Sequence, residues 1–116
     1  MMIGCDIVAI SRIEKIFKLY NKRFLNKFLN QNEQNIIKNI SSLAGFYAAK
    51  EAFSKALGVG ISKDFSFLDI EIYKNKKQAV KINISSKIKE KFKIKNSSLS
   101  IAHDGGFAIA IVIIQN

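Results

Sequence analysis

The chain has 116 residues, a length that suits one domain with only a modest core of its own. Nineteen Lys and Arg against nine Asp and Glu give a net charge of +10, which favours acidic or polyanionic partners and disfavours cationic ones. A single cysteine excludes an internal disulfide, no signal-peptide pattern is seen, and the terminal apolar run is too short for a bilayer, so we expect a cytoplasmic protein without a membrane partner.

The first predicted elements are a strand and a helix. Residues 2–8 read as a buried strand, and a helix through about Tyr20 should follow. Ser11 and Glu14 have the spacing of a capping box at the start of that helix. Its apolar face would carry Ile13, Ile16, Phe17 and Tyr20, with the basic residues Arg12, Lys15 and Lys18 largely outside it.

Two more helices are predicted in the middle of the chain. Asn30 and Glu33 offer a second helix start, followed by three isoleucines that would be buried. The main helix comes next, capped by Ser41 or Ser42, favoured by its alanines, and ended by Gly58 in a left-handed conformation.

The second half of the chain alternates between apolar and polar residues, as strands do. The alternating positions are Phe65, Phe67, Ile70 and Ile72, then Val80, Ile82 and Ile84, with residues 73–77 as the turn of a hairpin. A short basic helix at 86–92 precedes strands at 98–103 and 107–114, which Asp104, Gly105 and Gly106 connect. This order predicts an α+β fold, a single domain over residues 1–116 with a mostly antiparallel sheet and one long helix.

The closing strand is apolar throughout residues 107–114, which indicates that both of its faces are covered. A domain of this size has few other helices or strands with which to cover the second face. We therefore expect the chain to form an oligomer.

Two acidic residues are candidates for chemistry. Glu51 and Lys55 lie four apart on the main helix, on a stripe of small residues that includes Ala44 and Ala48; a solvated surface pair is the simpler interpretation. Asp6 stands among apolar strand residues, where a buried carboxylate needs a hydrogen bond, a cation or a metal, unless it caps a following turn. Together an acid on a strand and an acid and lysine on a helix could hold a divalent cation and the phosphates it neutralises.

The other candidate residues are less specific. His103 ends an alternating strand beside a glycine-rich turn, where it could contact a phosphate or serve only the structure. Cys5 is more typical of a small core residue than of a nucleophile. The sequence contains no Walker-A or dinucleotide fingerprint and no Cys/His cluster for zinc.

Four segments together resemble the holo-acyl-carrier-protein synthases, the small bacterial 4'-phosphopantetheinyl transferases of fatty-acid synthesis. Residues 48–56, Ala-Ala-Lys-Glu-Ala-Phe-Ser-Lys-Ala, are similar to the family's most specific motif. Residues 4–8 with 12–14, residues 67–72 and residues 100–104 resemble its opening motif, central strand and closing motif. The resemblance covers nearly the whole chain in the right order.

The resemblance implies transfer of 4'-phosphopantetheine from coenzyme A to a serine of apo acyl carrier protein, with release of adenosine 3',5'-bisphosphate. It implies Mg²⁺ on Asp6 and Glu51, with Lys55 on the pyrophosphate and His103 on the nucleotide's phosphates. The proton of the serine would go to Glu51 or to a metal-bound water.

The resemblance also implies partners. The family is typically trimeric with sites between subunits, and Arg12 and Arg23 match its carrier-docking arginines. Two residues depart from the pattern, since many members have Arg in place of Phe46 and Ser or Thr in place of Ala102. Both departures concern the binding of coenzyme A.

A small basic RNA-binding protein is the alternative. The net charge and the aromatic residues Phe65, Phe67 and Tyr73 would suit it. However, these aromatics alternate as core residues do, no RNA-binding motif is present, and Asp6 and Glu51 would have no role. We therefore expect no nucleic-acid partner.

Overall fold

The computed structural model describes all 116 residues and shows an α+β domain, which confirms the predicted fold class. Its strands are β1 (Met2–Ala9), β2 (Ile70–Lys74), β3 (Val80–Ile84), β4 (Asn96–Asp104) and β5 (Phe107–Gln115). Its helices are α1 (Ile10–Tyr20), α2 (Lys22–Phe28), α3 (Gln31–Ile36), α4 (Ile40–Leu57) and α5 (Ser86–Phe92), with a single 3-10 turn at Phe67–Asp69.

Two antiparallel sheets organise the fold. One has three strands in the order β1, β5, β4, and the other is the β2–β3 hairpin. In the larger sheet Asp6 pairs with Ala110, which pairs in turn with Ile101 on the other edge. The predicted hairpin and the two closing strands are confirmed.

The long helix α4 packs against one face of the three-stranded sheet. The contact is close because Ala44, Ala48 and Ala52 are fully buried and carry almost no side chain. Gly4 of β1 brings the strand closer still, since a Cβ at that position would lie 2.0 Å from the carbonyl oxygen of Ala52. The small residues on this face of α4 therefore allow the sheet to approach the helix closely.

Two predicted helix starts are wrong. Helix α1 begins at Ile10, straight after β1, and Ala9 at its N-cap has no side-chain hydrogen bond. Ser11 therefore lies inside the first turn and cannot form a capping box with Glu14.

The same kind of error applies to α4. Its cap is Asn39, whose side chain accepts from the backbone N–H of Ser42 at 2.8 Å, so neither Ser41 nor Ser42 is the cap. The capping box of Asn30 and Glu33 and the left-handed Gly58 are confirmed.

Phe65 and Phe67 do not belong to the hairpin strand. Phe67 begins the 3-10 turn, and β2 starts only at Ile70. Phe65 is fully buried and its ring stacks on that of Phe53, with centroids 5.4 Å apart. The alternation of apolar and polar residues in this segment therefore comes from the burial of individual rings. It does not indicate a β-strand here.

The outer face of the three-stranded sheet is apolar and open. Alternate residues of β5 are buried against α4, while Phe107 and Ile111 on the other face remain 48% and 42% exposed. Ile3 and Ile7 of β1 lie on that same face and are 67% and 59% exposed. Within one chain, the closing strand is thus covered on one side only.

None of the helices combines the length and the apolar character that crossing a bilayer requires. The cytoplasmic location stays a prediction.

Candidate active site

Asp6 lies in the middle of β1 and faces α4. Its side chain is only 15% exposed, and its backbone pairs with Ala110. A residue inside a paired strand cannot cap a following turn, so that interpretation of Asp6 is excluded. Gly4, two residues earlier on the same face, holds this part of the strand directly against the helix.

Lys55 reaches Asp6 from the last turn of α4. Its Nζ donates to Asp6 Oδ1 at 2.8 Å, and no ion pair joins Lys55 to Glu51. The expected surface pair is therefore wrong. The hydrogen bond to Asp6 raises the pKa of Lys55, and the charges of Asp6 and Glu51 act in the same direction.

Glu51 is half-buried one helical turn before Lys55. Its negative charge helps to raise the pKa of Lys55. Burial is the largest cause of the raised pKa of Tyr47, and the charge of Glu51 adds to it. Arg12 lies near enough to oppose the shift at Tyr47. Asp6, Glu51 and Lys55 thus form one cluster, with Arg12 at its edge.

Tyr47 neighbours this cluster, although it was not among the candidate residues. It lies four residues before Glu51 on α4, the spacing that puts two side chains on one helix face. That spacing was the available signal.

The cluster suits a magnesium ion. Two carboxylates are the whole donor set, since no group of three or more His, Cys, Asp and Glu side chains is arranged to hold a metal. Mg²⁺ usually keeps several waters and binds through one or two carboxylates plus substrate phosphates, so a complete protein cage is not required. Asp6 and Glu51 fit that pattern.

His103 lies at the other end of α4. Its Nε2 donates to the carbonyl oxygen of Ser41 at 2.8 Å. Ser41 and Glu51 are ten residues apart on one helix, which corresponds to about 15 Å at about 1.5 Å per residue. A single chain therefore does not bring His103 to Asp6, Glu51 and Lys55.

A cleft of about 450 Å³ opens beside His103. Two lysines of the β2–β3 hairpin, Lys74 and Lys81, line it together with the buried ring of Phe46, the residue that departs from the family pattern. The other lining residues are Ser42, Gly45, Gln78, Ala79, Val80, Leu99, Ser100 and Ile101.

A second cleft, of about 340 Å³, lies between α1, α2 and α4. Aromatic rings cover much of its wall, and Arg23 stands on its rim. Its lining residues are Ile16, Tyr20, Arg23, Phe24, Lys27, Phe28, Tyr47 and Phe67, and we call it the aromatic cleft. Tyr47 lines this cleft and also interacts with Glu51, and the charge of Arg12 acts on it as well.

Comparison with known proteins identifies the family. The model of the 4'-phosphopantetheinyl transferase superfamily matches residues 2–112. A holo-[acyl-carrier-protein] synthase of Campylobacter lari is 60% identical over 114 residues, which cover 98% of each chain.

Solved structures agree. The crystal structure of Helicobacter pylori holo-[acyl-carrier-protein] synthase in complex with coenzyme A is similar with a TM-score of 0.96 and 50% identity, covering 98% of this chain and 100% of that one. The synthase from Neisseria meningitidis has a TM-score of 0.89 and 30% identity over 99% and 98% of the two chains.

The RNA-binding alternative finds no support in these matches, and Phe65, being fully buried, has no face free to stack on a base. The resemblance inferred from the sequence motifs is confirmed. The chain belongs to the 4'-phosphopantetheinyl transferase superfamily.

Proposed function

We propose that the protein transfers 4'-phosphopantetheine from coenzyme A to a serine of apo acyl carrier protein and releases adenosine 3',5'-bisphosphate, in support of fatty-acid synthesis. The observation that carries this proposal is the cluster of Asp6, Glu51 and Lys55 across the β1–α4 contact. The relatives named as holo-[acyl-carrier-protein] synthases and the coenzyme A complex of the H. pylori protein support it.

Asp6 and Glu51 are the proposed magnesium ligands, and the bound cation would neutralise the pyrophosphate of coenzyme A. Lys55 has a half-exposed side chain, so its ammonium can turn from Asp6 towards a phosphate oxygen. There it offsets the charge that grows on the leaving phosphate. The serine proton goes to Glu51 or to water.

We place His103 in a neighbouring subunit's site, because about 15 Å of helix separates it from Glu51 in its own chain. The open apolar face of the sheet, with Ile3, Ile7 and Phe107, is the surface that a homotrimer would bury. Native mass spectrometry tests the trimer, and a monomer at micromolar concentration would refute it.

A mixing experiment tests the shared site. Glu51→Ala and His103→Ala subunits, each inactive alone, should regain activity when unfolded and refolded together, because some interfaces then combine an intact Glu51 with an intact His103. If the mixture stays inactive although mixed oligomers form, each site is built within one chain.

The cleft beside His103 is the proposed place for the nucleotide of coenzyme A. Lys74 and Lys81 supply positive charge there, in a cleft where Phe46 replaces the family's arginine. Lys81→Gln should therefore weaken the use of coenzyme A more than that of dephospho-coenzyme A, which lacks the 3'-phosphate. Equal losses with both substrates would argue against this placement.

The basic side of α1 and α2 is the proposed docking surface for the acidic carrier protein. Both Arg12 and Arg23 are exposed. Arg23 lines the aromatic cleft, and the charge of Arg12 acts on Tyr47, which lines the same cleft. Charge on such a surface acts mainly on the rate of encounter.

Thermal-shift measurements test the choice of function. Coenzyme A with Mg²⁺ should raise the melting temperature more than coenzyme A alone, because Asp6 and Glu51 would hold the cation and it would offset the charge of the pyrophosphate. Stabilisation by an RNA oligonucleotide, without any response to coenzyme A, would instead favour the RNA-binding alternative.

A further inference from the structure

Two ionisable side chains that the proposed chemistry does not use are completely buried. Lys50 immediately precedes Glu51 in α4, and Glu33 lies in the first turn of α3. Lys50 Nζ is 2.9 Å from Glu33 Oε1, and both side chains have zero exposure. Burying each ion costs several kcal/mol in general, and apolar pairs of similar volume are often at least as stable, so stability does not explain this pair.

Lys50 binds three further backbone groups. Its Nζ lies 2.8 Å from the carbonyl oxygen of Phe28, 2.9 Å from that of Phe67 and 3.0 Å from that of Ile70. These residues end α2, begin the 3-10 turn and begin β2, respectively. One side chain of α4 therefore holds three chain segments at their ends.

Glu33 extends the same network. Its Oε1 accepts from the backbone N–H of Asn30 at 2.9 Å, and its Oε2 accepts from that of Ile72 at 2.8 Å. No buried side-chain nitrogen or oxygen in the protein lacks a hydrogen-bond partner, so the network is fully satisfied. A satisfied buried network specifies one arrangement of the segments that it joins.

The segments held in this way carry the aromatic cleft. The ring centroid of Phe28 lies 5.9 Å from that of Phe67 and 5.4 Å from that of Tyr47, and the centroids of Tyr47 and Phe67 are 5.8 Å apart. Two of the three carbonyl oxygens bound by Lys50, those of Phe28 and Phe67, thus belong to residues whose rings form the cleft. Lys50 and Glu51 are consecutive on one helix, so the cleft and the Glu51 carboxylate share a single rigid support.

We propose that Lys50 and Glu33 are positioning residues, which hold the aromatic cleft at a fixed distance from the cluster of Asp6, Glu51 and Lys55. A carrier protein docked against the cleft then presents its serine at the cluster. This inference rests on the proposed function, since it assigns the cleft to the carrier side of the reaction.

The test is a double variant, Glu33→Gln with Lys50→Met, which removes both charges and nearly preserves volume. The KM for carrier protein should rise by at least about tenfold, since a misplacement of about 1 Å can cost about 100-fold. The KM for coenzyme A should rise less than that for carrier protein. The network contacts the hairpin that lines the nucleotide cleft only at Ile70 and Ile72, whereas Lys50 binds two residues of the aromatic cleft directly.

Ile114→Ala is the matched control. Ile114 is fully buried on β5, away from the network, so its truncation lowers stability without touching the cleft. The melting temperature of the control should fall about as far as that of the double variant, while its KM for carrier protein should remain that of the wild type. An unchanged carrier KM in the double variant, or an equal rise in the control, would overturn the proposal.

Two further measurements cover the remaining outcomes. If the double variant fails to fold, Glu33→Gln alone should raise the carrier KM in the same direction, and no rise would refute the role. If the wild-type protein modifies no carrier, the proposed function fails, and hydrogen exchange tests the network itself. Faster exchange confined to residues 28–34 and 67–72 in the variant supports it, and uniform loosening overturns it.

Discussion

Replacing Gly4 by alanine should separate β1 from α4 and thereby disrupt the active-site cluster. The added Cβ would lie 2.0 Å from the carbonyl oxygen of Ala52 and 2.6 Å from the backbone nitrogen of Ala56. Ordinary contact begins at 3.4 Å, so the first of these distances is 1.4 Å too short. Both opposing atoms belong to a helix backbone, which cannot turn aside as a side chain can.

The strand must therefore shift by about 1 Å, a displacement that can cost about 100-fold in rate when it moves a reacting group. Asp6 lies two residues along the same strand and moves with it. Overpacking of this kind typically costs about 1–3 kcal/mol, and we expect the upper end because the clash is with backbone. For a chain of this size, that loss corresponds to a melting temperature about 10 °C lower.

Gly45→Ala is the matched control on the opposing helix. Its Cβ would meet side-chain atoms instead of backbone, Ile101 Cγ2 at 2.9 Å and His103 Nε2 at 3.0 Å, and side chains adjust more easily than a helix backbone does. Melting curves should show Gly4→Ala as the more destabilised variant. In the transfer assay Gly4→Ala should lose activity through Asp6, whereas Gly45→Ala, which displaces His103, should chiefly raise the KM for coenzyme A. If Gly4→Ala melts like the wild type and transfers at the same rate, the close strand–helix contact does not position Asp6.

Glu51→Ala should abolish transfer while stability changes by no more than about 1 kcal/mol, as thermal melts would show; wild-type turnover would remove Glu51 from the mechanism. Asp6→Asn should lower the transfer rate by about 100-fold or more, because one of two proposed metal ligands is lost. Arg12→Glu should raise the KM for carrier strongly and that for coenzyme A little, and added salt should raise the wild-type carrier KM, since exposed charges are screened over about 8 Å at physiological salt. Hydrogen bonds from three asparagines hold the pKa of Glu71 below its ordinary 4.5. The stabilising effect of its carboxylate is therefore present above that pH and is lost as the pH falls further. Between neutral and acid pH, the melting temperature of Glu71→Gln should fall less than that of the wild type.

Local sequence signals predicted the elements well where one backbone interaction decided the outcome. Asn30 with Glu33 and Gly58 each specify a helix end through a single hydrogen bond or a single left-handed residue, and both were found. Ser11 failed because the pairing of β1 continues to Ala9 and the chain then turns directly into α1. The helix start therefore depends on where the preceding strand ends. Strand pairing in the folded chain decides that point, and local sequence does not.

The acidic cluster could be predicted only as a set of residues, not as a set of contacts. The partnership of Lys55 with Asp6 instead of Glu51 follows from the contact of Gly4 with α4, which joins positions almost fifty residues apart. The burial of Lys50 could not be predicted for the same reason, since nothing in a helical motif indicates that its lysine will be fully buried. Its partners lie in segments that meet only in the folded chain.

The most direct test of the proposed function is mass spectrometry of an apo acyl carrier protein incubated with coenzyme A, Mg²⁺ and this protein. The carrier should gain the mass of one phosphopantetheine arm, and the gain should disappear when the carrier's acceptor serine is replaced by alanine. No gain with the folded wild-type protein, under conditions in which a related synthase modifies the same carrier, would contradict the assignment.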